Sequence, residues 1–272
     1  MNAAQVGAIA TTLLDAYARG ASLRSISASH PEFDVAQAYE VLREIERRRV
    51  ANGWQPVGRK IGFTNRTIWP RYGIYRPMWA HVWRETVLHA ADGHAALSLA
   101  NSAEPRIEPE VVFGLRAAVA PDADAVAALR ATEWIAPGFE IVQSHFPGWK
   151  FTSPDCTAAF GLHRALVVGP RTPVDARNLQ PLAERLAACT VTLRRGDSVV
   201  DRGVGANVLD SPALALVHLA RVLADQPHMP PLAPGEFVTT GTITDAWPVA
   251  AGETWSSDYG ELGITGLVLG FS

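Results

Sequence analysis

The sequence predicts an α+β protein. Apolar residues recur at helical spacing near the start of the chain, whereas after Gly53 short segments rich in β-branched and aromatic residues follow one another. Few helices interrupt these segments, and they do not alternate regularly with strands. This arrangement is typical of an α+β fold rather than of a doubly wound parallel sheet.

Two amphipathic helices are predicted before Gly53. Their apolar stripes are Val6, Ile9, Leu13 and Tyr17, and then Val35, Tyr39, Leu42 and Ile45. Asp34 can cap the second helix, and Gly53 can end it because glycine accepts a left-handed backbone. We therefore expect a small helical N-terminal segment over residues 1–53 and a larger unit over residues 54–272.

Short strands and a few helices are predicted in the larger unit. The strands are expected at residues 57–63, 86–89, 107–115, 138–142, 160–168, 189–194, 198–202, 236–243 and 262–269. Helices are expected at 122–130, 179–187 and 211–224, the last with Ser211 as cap and Pro212 in its first turn. Gly196, within Arg195-Gly196-Asp197, favours a hairpin turn.

Composition excludes several classes of function. The 272 residues are 48% hydrophobic with a net charge of −3, which suits one large core and argues against a nucleic-acid partner. No apolar run is long enough to cross a membrane, and the first residues lack the basic region of a signal peptide. With two cysteines, Cys156 and Cys189, a disulfide framework is not expected and a reduced cytoplasmic setting fits best.

The segment around Glu108-Pro109-Glu110 predicts a metal site. If the segment is a strand, Glu108, Glu110 and Val112 share one face. Two carboxylates beside apolar neighbours repel each other and lose hydration, so a cation or protonation must neutralise them. Glu140, in another apolar stretch, offers a third acid. Carboxylate oxygens suit Mg²⁺ or Mn²⁺. The alternative is a solvated edge strand, where proline and charges are both tolerated.

The chain has only two lysines, Lys60 and Lys150. Lys60 lies between glycines and apolar residues in Gly58-Arg59-Lys60-Ile61-Gly62. A buried lysine beside a cation loses its proton easily and can then serve as an acid or base. The alternative is a lysine at a strand end whose ammonium reaches water.

Three further features are candidates for substrate binding: the Thr240-Gly241-Thr242 stretch, Asp155 and Lys150. Thr240-Gly241-Thr242 follows a predicted strand and offers hydroxyls and a close backbone approach, or it forms an ordinary turn. Asp155 lies in a turn-rich stretch and either binds a substrate hydroxyl or forms a side-chain turn. His145 and His163 have no metal-like spacing, so structural roles are expected for them.

Taken in order, these motifs resemble one family. Gly58 to Thr64, Ile107 to Glu110, Glu140 to Val142, Trp149-Lys150, Asp155 and Pro234 to Thr242 are similar to the 2-keto-4-pentenoate hydratase and 4-oxalocrotonate decarboxylase family. That family lies within the fumarylacetoacetase-like superfamily. The resemblance runs from about Val35 to the C-terminus.

The resemblance implies a mixed β-sheet roll or sandwich, assembled as a homo-oligomer, with residues 54–272 as the catalytic domain. It makes Glu108, Glu110 and Glu140 ligands of Mg²⁺ or Mn²⁺ and Lys60 the acid/base residue. The substrate would be a short 2-oxo acid or its dienol from the catabolism of aromatic compounds. A cation beside the 2-oxo group stabilises the enolate that forms when the adjacent carbon gains or loses a proton.

Departures from the family pattern bear on the reaction. Hydratases usually carry an aspartate where this chain has Met78, in Pro77-Met78-Trp79-Ala80, and the decarboxylases have an apolar residue there. Ala159 also replaces a polar residue. Met78 and Trp79 therefore predict an apolar pocket. An arginine common in the family is His145 here, so Arg66, Arg71 or Arg76 would have to replace it.

The leading prediction is a metal-dependent lyase, with decarboxylation preferred to hydration because of Met78. Hydrolysis of an acylpyruvate C–C bond is an alternative, and it would need His145 or His81 as base. A further alternative is a weakly active metal-binding subunit that pairs with a homologous pathway enzyme, although Lys60 and the three acids are intact.

Overall fold

Helices begin the chain, in a computed structural model that describes residues 1–226 and 228–272. They are α1 (Ala3–Arg19), the short α2 (Ile26–Ser29) and α3 (Val35–Ala51). Asn2 and Asp34 cap α1 and α3, each accepting a hydrogen bond from the backbone N–H three residues on. The two predicted helices are therefore present, and Asp34 is the expected cap.

A nine-stranded mixed sheet forms the larger layer. Its main path runs β2-β1-β11-β5-β6-β7-β3, with β12 beside β5 and β8 beside β6. These strands are β1 (Pro56–Gly62), β2 (Met78–Trp83), β3 (Val87–His89), β5 (Arg106–Leu115), β6 (Thr132–Val142), β7 (His163–Val168), β8 (Thr172–Pro173), β11 (Phe237–Thr239) and β12 (Trp247–Pro248). The pairs β1–β11 and β3–β7 are parallel and the other pairs are antiparallel.

A second sheet of five strands has the order β10-β9-β13-β14-β4. Its strands are β4 (His94–Leu97), β9 (Thr190–Arg195), β10 (Ser198–Val204), β13 (Thr254–Asp258) and β14 (Val268–Phe271). The turn between β9 and β10 contains Gly196 with φ +54°, as the hairpin prediction requires. The remaining helices are α4 (Trp69–Tyr72), α5 (Ala125–Arg130), α6 (Ser153–Ala158), α7 (Leu179–Ala188) and α8 (Pro212–Ala224).

One face of β5 and β6 is buried in the core. Ile107, Phe139 and Ile141 pack with Trp255 and Leu269 of the second sheet. Further along the same face, side chains of β5 pack with those of α5, α7 and α8. The opposite face of these strands is thereby free to carry polar groups.

The N-terminal helices cover the loops beside that polar face. Ala10 and Leu13 of α1 and Ile45 of α3 belong to one cluster with Phe146 and Phe160. Arg49, which is 4% exposed, is the polar centre of this contact: its guanidinium lies 4.6 Å from the centre of the Tyr17 ring and 4.5 Å from that of Phe160. The helices therefore hold the segment that contains Phe160.

The α+β class and the mixed sheets are confirmed. Several strands differ from the prediction: β2, β4, β8, β12 and β13 were not expected, and β6 is longer. The segment predicted at 236–243 ends at Thr239, because the chain turns at Gly241 with φ +93°. Over the described residues, no helix is both long and apolar enough to cross a bilayer.

Candidate metal and substrate site

The three acids predicted as ligands meet on the polar face of β5 and β6. Glu108 pairs in register with Glu140, and Glu110 with Gly138, so all three side chains leave the sheet on the same side. One carboxylate oxygen from each lies within 4.8 Å of the others. Alternation along β5 thus places two acids together, and the antiparallel partner adds the third.

Lys60 reaches the acids from β1, which lies three strands from β6 in the same sheet. Lys60 pairs in register with Thr239 of β11, and Thr239 pairs with Val112 of β5. Lys60 therefore lies on the same face of the sheet as Val112 and the acids. Its Nζ lies 3.2 Å from Oε2 of Glu140 and donates a hydrogen bond to the carbonyl of Gly161 at 3.0 Å. Lys60 is 3% exposed, which excludes the alternative of an ammonium that reaches water.

A turn of unusual backbone presents that carbonyl to Lys60. Phe160, Gly161 and Leu162 all have φ between +59° and +65°, a region that costs free energy for residues with a side chain. A Cβ on Gly161 would lie 2.9 Å from that of Ala80. Glycine is therefore required, and the packing of Phe160 against the N-terminal helices holds the turn.

Glu110 is fixed by the segment that follows β11. Its Oε2 accepts hydrogen bonds from the hydroxyl of Thr239 and, at 2.7 Å, from the backbone N–H of Gly241. A Cβ on Gly241 would lie 1.9 Å from Oγ1 of Thr64, so the close approach needs glycine. Below the strand, the Tyr259 hydroxyl donates to the Glu110 carbonyl at 2.6 Å.

The electrostatics of this cluster favour a cation. Burial, together with the charge of Glu140, raises the pKa of Glu108 to about 7, and burial with both neighbouring acids raises that of Glu110 well above its usual range. Burial disfavours the charged form of Glu140, yet Lys60 and His163 outweigh it and lower its pKa. Burial likewise opposes the Lys60 ammonium, and the three carboxylates outweigh it and raise its pKa.

The donor set fits a divalent cation. Oε1 of Glu110 and Oε2 of Glu140 are buried and accept no hydrogen bond from the described residues. Three carboxylates beside one ammonium leave excess negative charge, which a cation bound by hard oxygen atoms neutralises. Glu108, Glu110 and Glu140 can therefore hold Mg²⁺ or Mn²⁺.

A small recess opens onto Glu108 and Lys60. Most of its wall is apolar or aromatic: Phe63, Ile68, Tyr72, Met78, Val142, Trp149, Phe151, Leu162 and Ala246. Tyr72 and Phe151 stack with their ring centres 5.4 Å apart. Thr64, Asn65, Thr242 and Asp245 supply its polar lining. The recess suits a small acid whose charged end faces the glutamates and whose other end meets aromatic rings.

Thr64 is a candidate that sequence reasoning did not single out. Its side chain is 1% exposed and lines the recess, and its Oγ1 has no hydrogen-bond partner among the described residues. An unpaired buried hydroxyl costs free energy unless a ligand or water pairs with it. In the sequence, its position close to Lys60, in the Gly62-Phe63-Thr64 stretch, could have identified it as a candidate site residue.

The two residues predicted to make the pocket apolar lie on opposite faces of β2. Met78 lines the recess near Lys60 and Gly62. Trp79 points the other way, stacks on Tyr39 and donates from Nε1 to Gln226 at 3.1 Å. Because successive strand residues alternate faces, only Met78 of the two faces the main recess, and we assign Trp79 a packing role.

Asp155 also has a structural position. Its carboxylate accepts hydrogen bonds from the backbone and hydroxyl of Ser27 and from those of Thr152, at 2.6 to 2.9 Å. These four bonds cap α6 and tie it to α2, so the carboxylate is already satisfied. The side-chain turn, rather than substrate binding, describes its contacts.

The remaining candidates are spread around the rim. Gly241 and Thr242 line the recess, whereas the Thr240 hydroxyl donates away from it to the carbonyl of Val111 at 2.9 Å. Lys150 is exposed and lines a separate, cationic recess that also contains Arg106. The structure therefore brings part of the predicted Thr240-Gly241-Thr242 stretch to the site and leaves Lys150 outside it.

None of the arginines proposed for substrate binding, and neither histidine proposed as a base, lines the main recess. Arg66 pairs with Asp210 at 2.7 Å and Arg71 with Asp245 at 2.8 Å, the latter at the mouth of the recess. His145 lies 2.9 Å from the carbonyl of Ala21. His81 stands on the far side of β2, in a different recess from the glutamates. None of the described residues that line the main recess is a histidine.

Comparisons with known proteins agree with this geometry. No family model matches the chain. It is 30% identical to the 2-keto-4-pentenoate hydratase 1 of Dechloromonas aromatica (strain RCB) over 257 residues, 94% of each chain. It is also 29% identical to the 2-hydroxyhexa-2,4-dienoate hydratase of Comamonas testosteroni over 243 residues, 89% of this chain and 88% of that one.

Solved structures show the same fold. The 4-oxalocrotonate decarboxylase of Pseudomonas putida G7, complexed with magnesium and adipate, superposes with a TM-score of 0.90 and 25% identity over 100% of this chain and 99% of its own. The fumarylpyruvate hydrolase of Pseudomonas aeruginosa, complexed with Mn²⁺ and pyruvate, shares the fold at a TM-score of 0.59 and 16% identity, over 78% of this chain and 88% of its own. The chain therefore belongs to the 2-keto-4-pentenoate hydratase and 4-oxalocrotonate decarboxylase family.

Proposed function

We propose that this metal-dependent lyase removes CO₂ from a short 2-oxo acid whose second carboxylate sits on a saturated carbon, next to a C=C bond that is conjugated with the 2-oxo group. The observation that carries the proposal is the position of Met78. Its Cε and the Nζ of Lys60 both lie next to Gly62: a Cβ built on that glycine would be 3.1 Å from the Cε and 3.2 Å from the Nζ. An apolar thioether thus stands beside the proton-transfer group, where a hydratase of this family usually has a carboxylate. Such a wall helps expel a carboxylate as CO₂ and does not position water.

The three glutamates would hold the cation, which supplies positive charge beside the 2-oxo group. When the bond to the distal carboxylate breaks, its electron pair moves through the conjugated system toward the 2-oxo oxygen and CO₂ leaves. Lys60 then holds a proton beside a carbon atom of the remaining conjugated system, or delivers the proton to that atom. Its ammonium is aligned by Glu140 and by the Gly161 carbonyl, so the proton has one direction of transfer.

Thr64 supports the same substrate class. Its unpaired hydroxyl lies in the recess with Glu108 and Lys60, and could donate a hydrogen bond to a carboxylate or carbonyl oxygen of the substrate. The aromatic wall of Phe63, Tyr72 and Phe151 would surround the carbon chain. We assign Thr64 to binding rather than to proton transfer, because an aliphatic hydroxyl is a weak acid.

Hydration is the second candidate. The two relatives described above by sequence, at 30% and 29% identity, are both hydratases. Lys60 would protonate a dienol at carbon while the cation stabilises charge on the 2-oxo oxygen, and water would then add to the remaining conjugated C=C bond. Hydrolysis of a C–C bond has less support, since neither His145 nor His81 reaches the recess. Intact acids and lysine argue against a weakly active subunit.

One experiment separates these reactions. The purified protein is incubated with Mg²⁺ and a panel of conjugated 2-oxo diacids, 2-hydroxydienoic acids and acylpyruvates, and CO₂, hydrated product and cleavage product are measured separately. Release of CO₂ with at most slow hydration supports the proposal. Hydration or cleavage without CO₂ overturns it.

We also propose that the enzyme acts as a cytoplasmic homo-oligomer, with residues 1–53 as the helical segment of each subunit and 54–272 as the catalytic domain. Cys156 and Cys189 are both free and buried, which suits a reducing compartment. Light scattering of the purified protein would give the size of the oligomer. Co-purification would test for association with a homologous enzyme of the same pathway.

A further inference from the structure

A buried row of side chains stands behind the third glutamate. Nδ1 of His163 lies 2.8 Å from Oε1 of Glu140, and Nε2 of the same ring lies 2.8 Å from Oγ1 of Thr86. Thr86, Glu140 and His163 are at most 5% exposed. The Thr86 hydroxyl also lies 2.9 Å from the carbonyl of Trp83.

These contacts fix the orientation of both the histidine and the glutamate. Both ring nitrogens are engaged, so turning the ring over would replace two nitrogens by carbons and lose both contacts. Toward a carboxylate, Nδ1 acts as the donor. Because Oε1 of Glu140 is held in this way, Oε2 is left facing Lys60 without a hydrogen-bond partner among the described residues.

The backbone gives His163 this position. It is the first residue of β7, directly after the turn at Phe160, Gly161 and Leu162 that binds Lys60. One short segment therefore contacts both ends of the Lys60–Glu140 pair. The carbonyl of Gly161 accepts from Lys60, and the ring of His163 approaches Glu140 from the opposite side.

We propose that His163 is a positioning residue of the cation site, which holds Glu140 in the rotamer that directs Oε2 to the cation, with Thr86 orienting the ring. This inference rests on the proposed role of Glu140 as a ligand. Groups that hydrogen-bond to a ligand in this way typically contribute 10- to 100-fold to metal affinity. His163 acts through Glu140 and does not line the recess itself.

The test measures Mn²⁺ affinity of the folded protein, by electron paramagnetic resonance of free Mn²⁺ and by calorimetry. His163→Leu removes the donor while keeping a buried apolar side chain, so we expect 10- to 100-fold weaker binding. In His163→Asn, the amide Nδ2 is the same number of bonds from the backbone as Nδ1 of histidine and can donate in its place. This variant should therefore keep Mn²⁺ affinity within a few-fold of the wild type. Thr86→Val, which frees the far side of the ring, should give a smaller loss.

His145→Leu is the matched control. His145 is equally buried, at 1% exposure, but contacts the carbonyl of Ala21 and the side chain of Gln143 instead of a glutamate of the cluster. It should reduce thermal stability and leave Mn²⁺ affinity unchanged. Equal affinity losses in His145→Leu and His163→Leu would show a general packing effect and overturn the inference.

Glu140→Gln separates this inference from the proposed function. If Glu140→Gln leaves Mn²⁺ affinity unchanged, Glu140 is not a ligand and the proposed site itself fails. If Glu140→Gln weakens binding but His163→Leu and Thr86→Val do not, only the positioning role fails. Should His163→Leu not fold, the inference still requires a loss in Thr86→Val, with near wild-type affinity in His163→Asn.

Discussion

Lys60 and Glu140 form a buried ion pair across the concave face of the larger sheet, with Nζ 3.2 Å from Oε2. Strands β11 and β5 separate their own strands, β1 and β6. In a flat sheet, three strand spacings would set the backbones roughly 14 Å apart. Curvature of the sheet and the length of the two side chains close that gap. The fold thus brings together two groups whose strands are not neighbours.

Removing the Lys60 amine should separate chemistry from binding. We expect Lys60→Ala to slow exchange of deuterium at the carbon beside the 2-oxo group by about 10²- to 10⁴-fold, the usual contribution of a positioned acid or base. Affinity for the cation and for a 2-oxo acid should stay within a few-fold. Lys60→Arg should rescue little, because guanidinium does not release its proton.

The other lysine supplies the control for that experiment. Lys150 is exposed and outside the main recess, so Lys150→Ala should exchange deuterium at the wild-type rate. Exchange is followed by nuclear magnetic resonance with saturating Mg²⁺. A wild-type rate in Lys60→Ala would show that Lys60 has only a structural role.

Stability of the cation-free protein should fall as pH rises through the range in which Glu108 ionises. Its folded pKa is about 7, above the ordinary value of 4.5, so the folded state binds more protons than the unfolded state between these values. Stability from this group is thus present below about pH 4.5 and is lost as pH rises toward 7. The loss for such a shift is on the order of 3 kcal/mol.

Thermal melts between pH 5 and 8 measure this loss. Glu108→Gln cannot ionise, so the wild type should lose more stability over this range than the variant, and saturating Mn²⁺ should remove the difference. Buried histidines titrate in both proteins and cancel in the comparison. Parallel curves for the two cation-free proteins would contradict the assignment of Glu108 as a strongly perturbed acid.

Much of the site could be predicted from local sequence. Alternation along one strand places Glu108 and Glu110 on the same face, and the rarity of lysine drew attention to Lys60. Each of these inferences needs only a few neighbouring residues. The approach of Glu140 to Glu108 depends on the β5–β6 register, which the pattern did not specify, and the resemblance to a family supplied it.

Other roles depend on contacts that the sequence pattern hides. Met78-Trp79-Ala80 was not recognised as a strand because polar and apolar residues do not alternate there, so the opposite orientations of Met78 and Trp79 were missed. His163 meets Glu140 through pairing of distant strands. Asp155, by contrast, carried a usable signal: Thr152 and Asp155 have the spacing of a capping box.

Glu110 should be indispensable for the cation. Glu110→Gln keeps the shape of the side chain and can still accept from Gly241, but its neutral amide does not offset the charge of the cation, so tight Mg²⁺ or Mn²⁺ binding should be lost. Calorimetry measures this, with circular dichroism to show the fold. Glu133→Gln, an exposed position on β6, is the control and should bind normally.

Thr64 should contribute to substrate binding. Thr64→Val preserves the shape and removes the hydroxyl, so we expect KM for a 2-oxo acid to rise about 10- to 100-fold, as for a lost hydrogen bond to a charged group. Thr64→Ser should retain most of the affinity. Mn²⁺ affinity measured without substrate should not change in either variant. An unchanged KM in Thr64→Val would remove Thr64 from the site.

The choice between decarboxylation and hydration should depend on Met78. The wild type should hydrate a small 2-hydroxydienoic acid far more slowly than the roughly 10 s⁻¹ typical of enzymes. Met78→Leu keeps the wall apolar and should still release CO₂ from the conjugated diacid. Met78→Asp places a carboxylate beside Lys60, so release of CO₂ should fall and the ratio of hydrated product to CO₂ should rise. Product ratios from both substrates measure this, and hydration by the wild type near 10 s⁻¹ would show that the apolar wall does not select decarboxylation.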